Sequence, residues 1–380
     1  MRKSLLCLAL ALTASPSMAG NYVMDADTAG YAGAAVATAD FTSAGFYNPA
    51  LLAFGNQGKR FGVLFPTLGV RSFDPDRLVN KLEDFAANYT NPNQAEVASK
   101  LRAVQNKQAQ VGGGMAGSAG IATSNISGLF FISSYSEGLV FSEVSDQSIA
   151  SVASGAPLAA TSVLGQALSA NVIDIGIALA TTIALDKAPI AIGITPKIQQ
   201  IYTYYQPVEA GSFDLSNLTD TTNRTRNSTL NLDLGLAWQK DAFQAGLAAK
   251  NLFRKELQTL ARTYSYRYEV NPVYTVGAAF SQPKYILSAD FDLNKQKRMS
   301  ANSGPAVNDD IQLFRLGGRY QLTSDIQLKA GFIHDTQHSL DNIYTLGLGV
   351  GIWDSARVDF AAELIEQNSY GLLIQLSFTI

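Results

Sequence analysis

The chain has almost none of the residues that build disulfide, redox or metal chemistry: one cysteine, Cys7, and two histidines, His334 and His338, in 380 residues. Cys7 lies in the apolar run 5–12, too close to Arg2 and Lys3 to be a lipid attachment site. That run, Pro16 and Ser17-Met18-Ala19 read as a secretory signal peptide over residues 1–19, cut before Gly20. The mature chain is expected to carry no thiol and no disulfide. Charge is scarce as well, at 16% Asp, Glu, Lys and Arg. Without Arg2 and Lys3, 26 basic residues stand against 31 acidic ones, a balance of −5 that offers nucleic acid no basic surface. Walker, His-Glu-x-x-His and nucleophile-elbow motifs are missing. His334 and His338 flank Asp335 at a spacing that matters on a helix, but here a strand ends and turns; Ser339 beside His338 points the other way. No enzyme, metal or cofactor is therefore expected. Also lacking is any mature run of roughly eighteen apolar residues, since 171–185 carries Asn171 and Asp174, so helical membrane spans are disfavoured.

What the chain has is alternation. From Ser369 to Ile380 every even position is large and apolar (Tyr370, Leu372, Ile374, Leu376, Phe378, Ile380), while the odd ones are nearly all small or polar. A strand sends successive side chains to opposite faces, so one face is greasy from end to end. In a soluble sandwich that face points inward; in a membrane barrel it points at lipid. The pattern recurs at Tyr344 to Ile352, Val358 to Leu364 and Leu230 to Trp238. Weaker versions run over 173–179, 190–194, 243–249, 274–280, 285–291, 314–322 and 326–332.

Tight breaks at Asp186-Lys187, Lys240-Asp241, Pro283, Ser324 and Asp354 alternate with long polar gaps at 72–127, 145–170, 206–227, 252–270 and 294–309. Short connections at one end and long ones at the other are the habit of outer-membrane barrels. The expected fold is all-β: a transmembrane antiparallel β-barrel of about fourteen strands with its tight turns on the periplasmic side. The strands are 60–71, 128–136, 138–144 and eleven more from 171 onward, within a barrel domain 59–380. Outer-membrane lipid, or detergent in its place, is the expected surroundings.

Residues 20–58 are too few for a domain and too rich in Ala and Gly for a stable helix. Their run Gly30 to Asp40 leads to Phe46-Tyr47-Asn48-Pro49-Ala50-Leu51-Leu52. This resembles the start of the FadL family of hydrophobic-compound transporters, where a Gly/Ala-rich stretch leads to an aromatic-Asn-Pro-Ala motif; the family's next residue is usually Gly, here Leu51. The resemblance implies an N-terminal luminal hatch inside a fourteen-stranded barrel, with hydrophobic small molecules as partners. Within that superfamily the chain is similar to the TraF-type conjugal transfer proteins, which implies conjugation proteins as alternative partners. The last strand resembles the signal read by the barrel assembly machinery, though its aromatic is Phe378 and it ends in Ile380.

By alternation the lumen receives Asp174, Lys197, Asp233, Lys250, Asp290, Asp292, Arg315, Arg319, Lys329, Arg357, Asp359 and Glu363. These charges form either a wet selectivity ring or a paired network holding hatch to wall. In the long gap 72–127, Leu78, Leu82, Phe85 and Tyr89, then Val97, Leu101 and Val104, are spaced for two amphipathic helices broken at Pro92, partly helical extracellular loops over the barrel mouth. In the family such loops form a greasy landing groove, so Leu78, Leu82, Phe85 and Tyr89 are candidate ligand-capture residues; packing among themselves is the alternative. Gly112-Gly113-Gly114 has no Lys-Ser or Lys-Thr behind it and reads as a hinge. Residues 211–228 read as a solvated outer loop. Two functions stay open: passage of hydrophobic molecules, or an accessory barrel for conjugation whose hatch stays shut.

Overall fold

A computed structural model describes residues 25–54, 60–123, 125–183, 189–211, 220–365 and 368–380. The expected signal peptide, the turn at Asp186-Lys187 and much of the loop 211–228 lie outside the described residues. Fourteen antiparallel strands close into a barrel. They are β1 (Phe61–Phe73), β2 (Gln108–Ala122), β3 (Ser127–Ser142), β4 (Val163–Ile183), β5 (Ile190–Glu209), β6 (Arg224–Lys240), β7 (Phe243–Lys250), β10 (Val273–Gln282), β11 (Tyr285–Asp292), β13 (Leu313–Gln321), β14 (Ile326–Asp335), β15 (Ile343–Trp353), β16 (Ala356–Leu364) and β17 (Tyr370–Thr379). Each pairs with its chain neighbour, and β17 closes on β1. A separate three-stranded sheet comprises β8 (Lys255–Gln258), β9 (Ser265–Val270) and β12 (Met299–Ser303).

The alternating apolar face looks outward. Leu328, Leu348, Phe360, Ile374 and Leu68 stand side by side across β14, β15, β16, β17 and β1, and all remain exposed despite their size. A belt of this kind has lipid as its natural solvent. Aromatic residues edge it at both ends, with Tyr274, Tyr344 and Tyr370 toward the long loops and Phe243, Tyr285, Tyr320 and Trp353 toward the tight turns. Amphipathic rings settle at such interfaces. No helix among the described residues is long and apolar enough to cross a membrane.

The N-terminal strands depart from expectation. Residues 128–136 and 138–144 are two halves of one strand, β3, and the missing strand is β2, which runs straight through Gly112-Gly113-Gly114. The expected hinge is thus paired sheet. Pro66, which has no N–H to give the ladder, sits where the β1 register shifts against both neighbours. The wall is also uneven, since β4 and β5 run 21 and 20 residues whereas β7 and β11 run 8 each.

The expected helices form, but not over the mouth. Helix α3 (Leu78–Asn88) is started by Asp74, whose carboxylate accepts the Leu78 and Val79 amides; α4 (Gln94–Val104) follows Pro92, and α5 (Asp146–Ala153) is capped by the Ser145 side chain. Their apolar stripes pack on Ala109, Val140, Ala167 and Val208. These four are outward positions of β2 to β5, so the helices clad the outside of the tall flank beyond the lipid belt.

Candidate functional site

The N-terminal segment 25–54 packs against the inward face of the barrel wall. Two short helices, α1 (Ala26–Ala29) and α2 (Ala44–Tyr47), and a 3-10 turn at Pro49–Ala53 give it shape. Asp25 caps α1 through the Thr28 amide at 2.8 Å, and the Thr28 hydroxyl reaches Tyr47 Oη at 2.5 Å, tying the two helices together. Small residues are needed because segment and wall nearly touch. A Cβ on Gly331 would fall 2.7 Å from that of Ala32, and one on Gly235 would strike Asn48 and Pro49.

Phe46, Tyr47, Asn48, Pro49 and Ala50 are all buried. Phe46 meets Phe131 of β3 edge-on at 5.1 Å. The Asn48 amide donates to the Val36 carbonyl at 2.8 Å and the Leu236 carbonyl at 3.0 Å, and its oxygen accepts the Ala50 amide at 3.1 Å. One side chain thereby joins two stretches of the segment to β6. The extended backbone at Asn48, which Pro49 favours, makes that reach possible.

Most charges on the inward face are paired, although among the described residues Lys250 and Asp290 form none of the ion pairs, Asp290 instead accepting the Val36 amide at 2.9 Å. Lys329 holds Asp27 of the segment and Asp359 of β16, each at 2.5 Å. Arg319 lies 3.4 Å from Asp27 and stacks over Tyr31, and Arg357 lies 3.2 Å from Asp359. Higher in the lumen Lys197 bridges Asp174 at 3.0 Å and Asp233 at 2.9 Å, Arg315 meets Asp292 at 3.1 Å, and Glu363 takes Arg71 at 2.5 Å. Sequence reasoning named both sides of most of these pairs but missed Asp27 and Arg71. The strand parity that placed the others fails at Arg71 because the Pro66 bulge intervenes.

Toward the long loops the lumen changes character. The small sheet inserts Tyr266, Tyr268, Val270 and Met299 among Tyr135, Leu139, Phe141, Leu168 and Tyr205, with the Tyr205 and Tyr266 rings 5.2 Å apart. Buried Arg298 fastens the sheet to the wall through Glu137 of β3 at 2.6 Å and neighbouring Asp309 at 3.6 Å. Nothing in the sequence pattern marked this triad, because two of its members lie in loops or the small sheet. One guanidinium faces two carboxylates, and burial pushes Asp309 up to about 7. The folded form prefers this group protonated, so its contribution to stability is complete below the ordinary value of 3.8 and is lost as pH rises toward 7. Amide exchange in β9 and β12, corrected for intrinsic rates, should accelerate between pH 5 and about 7.5. Asp309→Asn should flatten that slope, and an unchanged slope would refute the assignment.

The candidate capture residues Leu78, Leu82 and Phe85 are buried between helices and wall, and Tyr89 is half-buried against them. They hold the cladding together and offer no open landing groove in this conformation. On the tight-turn side, a cavity of 630 Å³ beneath the segment is lined by residues including Asp40, Phe41, Leu51, Arg319, Trp353 and Arg357.

Comparison with solved structures places this fold among hydrocarbon channels. The toluene transporter TodX of Pseudomonas putida superposes with a TM-score of 0.54 at 12% identity, covering 96% of this chain and 99% of that one. A FadL homologue from Pseudomonas aeruginosa gives 0.56 at 13%, covering 96% and 99%, and the monoaromatic hydrocarbon channel CymD gives 0.56 at 11%, covering 95% and 98%. Identities this low speak to fold alone. No curated protein matches the chain. A family profile does, over residues 45–292, a stretch reaching from the end of the luminal segment to β11. By that match the chain belongs to the family described as F plasmid transfer operon, TraF, protein.

Proposed function

We propose that this protein is an outer-membrane carrier for small hydrophobic molecules, with residues 20–58 serving as a hatch inside the barrel 59–380. The observation that carries the reading is the apolar, aromatic upper lumen around Tyr135, Phe141, Tyr205, Tyr266 and Tyr268. A water-filled porin keeps its interior polar; an interior of packed rings suits an apolar cargo that replaces their contacts. The cargo displaces the small sheet, then the hatch, and leaves through the cavity on the periplasmic side. Its fold neighbours are channels for such molecules, which supports the reading. Export by the signal peptide and insertion by the barrel assembly machinery belong to the same proposal.

The experiment is entry of an apolar fluorescent probe into liposomes carrying the refolded protein. Faster entry than in protein-free liposomes is expected, and a cross-linked hatch should remove the gain. The second reading, an accessory barrel of a conjugal transfer system, is favoured by the ion pairs that lock segment to wall. It predicts no change in probe entry and loss of plasmid transfer on deletion.

A further inference from the structure

Both histidines of the chain meet at the extracellular rim, although their spacing in sequence gave no reason to pair them. His334 is the outward residue at the end of β14, stacked above Phe332 with centroids 6.4 Å apart. His338 lies in the following turn at φ 58, a conformation that histidine tolerates better than most residues. The turn is held by one buried carboxylate. Asp335 accepts the backbone N–H groups of Gln312, Gln337, Ser339 and Leu340 at 2.8 to 3.1 Å. This fixes the chain on either side of His338 and sets its ring 5.8 Å from that of His334, at 72°.

A second observation concerns the tautomer. The Asn342 side-chain oxygen lies 2.8 Å from His334 Nδ1; in the tautomer protonated at Nδ1 the two form a hydrogen bond and Nε2 keeps its lone pair. Metal-binding histidines are oriented by a carbonyl on the far nitrogen in the same way. The ring separation fits too. With a metal–nitrogen bond of about 2.0–2.1 Å, two imidazoles on one ion at angles from tetrahedral to linear have centroids about 5.2 to 6.4 Å apart.

We propose that His334 and His338 form a surface site for one borderline divalent ion, Zn²⁺, Cu²⁺ or Ni²⁺. No cluster of three or more His, Cys, Asp or Glu occurs among the described residues, so water completes the coordination. Two imidazoles without carboxylate favour these ions over Mg²⁺ or Ca²⁺. The site is open and exchangeable, facing outward above the aromatic edge of the lipid belt.

Tag-free refolded protein in detergent, titrated with Cu²⁺ and followed by electron paramagnetic resonance, tests this. One tight ion per chain with two-nitrogen coupling is expected, unaffected by excess Mg²⁺. His334→Gln and His338→Gln should each leave one nitrogen and weaken binding at least tenfold. Asn342→Leu should keep both nitrogens and weaken binding about tenfold. Heat-modified electrophoretic mobility shows whether each variant is folded. Equal Cu²⁺ affinity in wild type and both histidine variants, or displacement by Mg²⁺, would overturn the site.

Discussion

Lys329→Met should free the luminal segment from the wall. The ammonium is buried and is shared by Asp27 and Asp359, so its loss strands two carboxylates in the lumen with only Arg319 and Arg357 nearby. Breaking a buried pair by removing one partner costs about 3–5 kcal/mol. Much of that falls on the segment, because the fourteen-strand ladder supports β14 and β16 without it. Amide exchange over residues 25–54 should accelerate by about a hundredfold or more. The β15 and β16 amides should change far less. Adding Asp27→Asn removes one stranded charge and should recover part of the protection. Equal exchange in Lys329→Met and wild type would mean that packing against the wall glycines, not charge, holds the segment.

Leu348→Arg should destabilise the barrel in a bilayer by about 2–4 kcal/mol, whereas Leu364→Arg should cost about 0–1 kcal/mol. The two leucines face the same way, but Leu348 is midway along β15 and Leu364 ends β16 at the long-loop rim. A lipid-facing cost falls with distance from the midplane; a cost set by protein packing would not follow depth. Reversible unfolding by guanidinium from lipid vesicles measures both. Similar costs at the two positions would remove the case for a lipid belt.

The last eleven barrel strands were legible because their two faces meet different solvents, lipid outside and a polar lumen inside. Where that contrast disappears, so does the pattern. The upper parts of β2 to β5 are covered outside by α3, α4 and α5 and inside by the small sheet, so both faces are buried and small or apolar residues occupy both. Hence Gly112-Gly113-Gly114 looked like a hinge, and Glu137 like the break between strands 128–136 and 138–144. Glu137 is polar because it points inward to Arg298, and the strand continues past it. One strand split and another overlooked left the total at fourteen. Helices α3 and α4 were readable from their stripes, but a stripe does not reveal which surface it covers. In the candidate site, inward charges followed from strand parity. Their partners in the segment did not, because that stretch has neither period.

The uneven wall governs how the molecule meets its neighbours. At a tilt near 40°, a 21-residue strand rises about 50 Å and a 10-residue strand about 25 Å, so one flank overshoots the hydrocarbon by about as much again. Helices of about 10 Å diameter stand against that overshoot. Two copies crowded in one membrane are therefore held apart along this arc and can touch wall to wall only through β7 to β17, where the strands end near the bilayer surface.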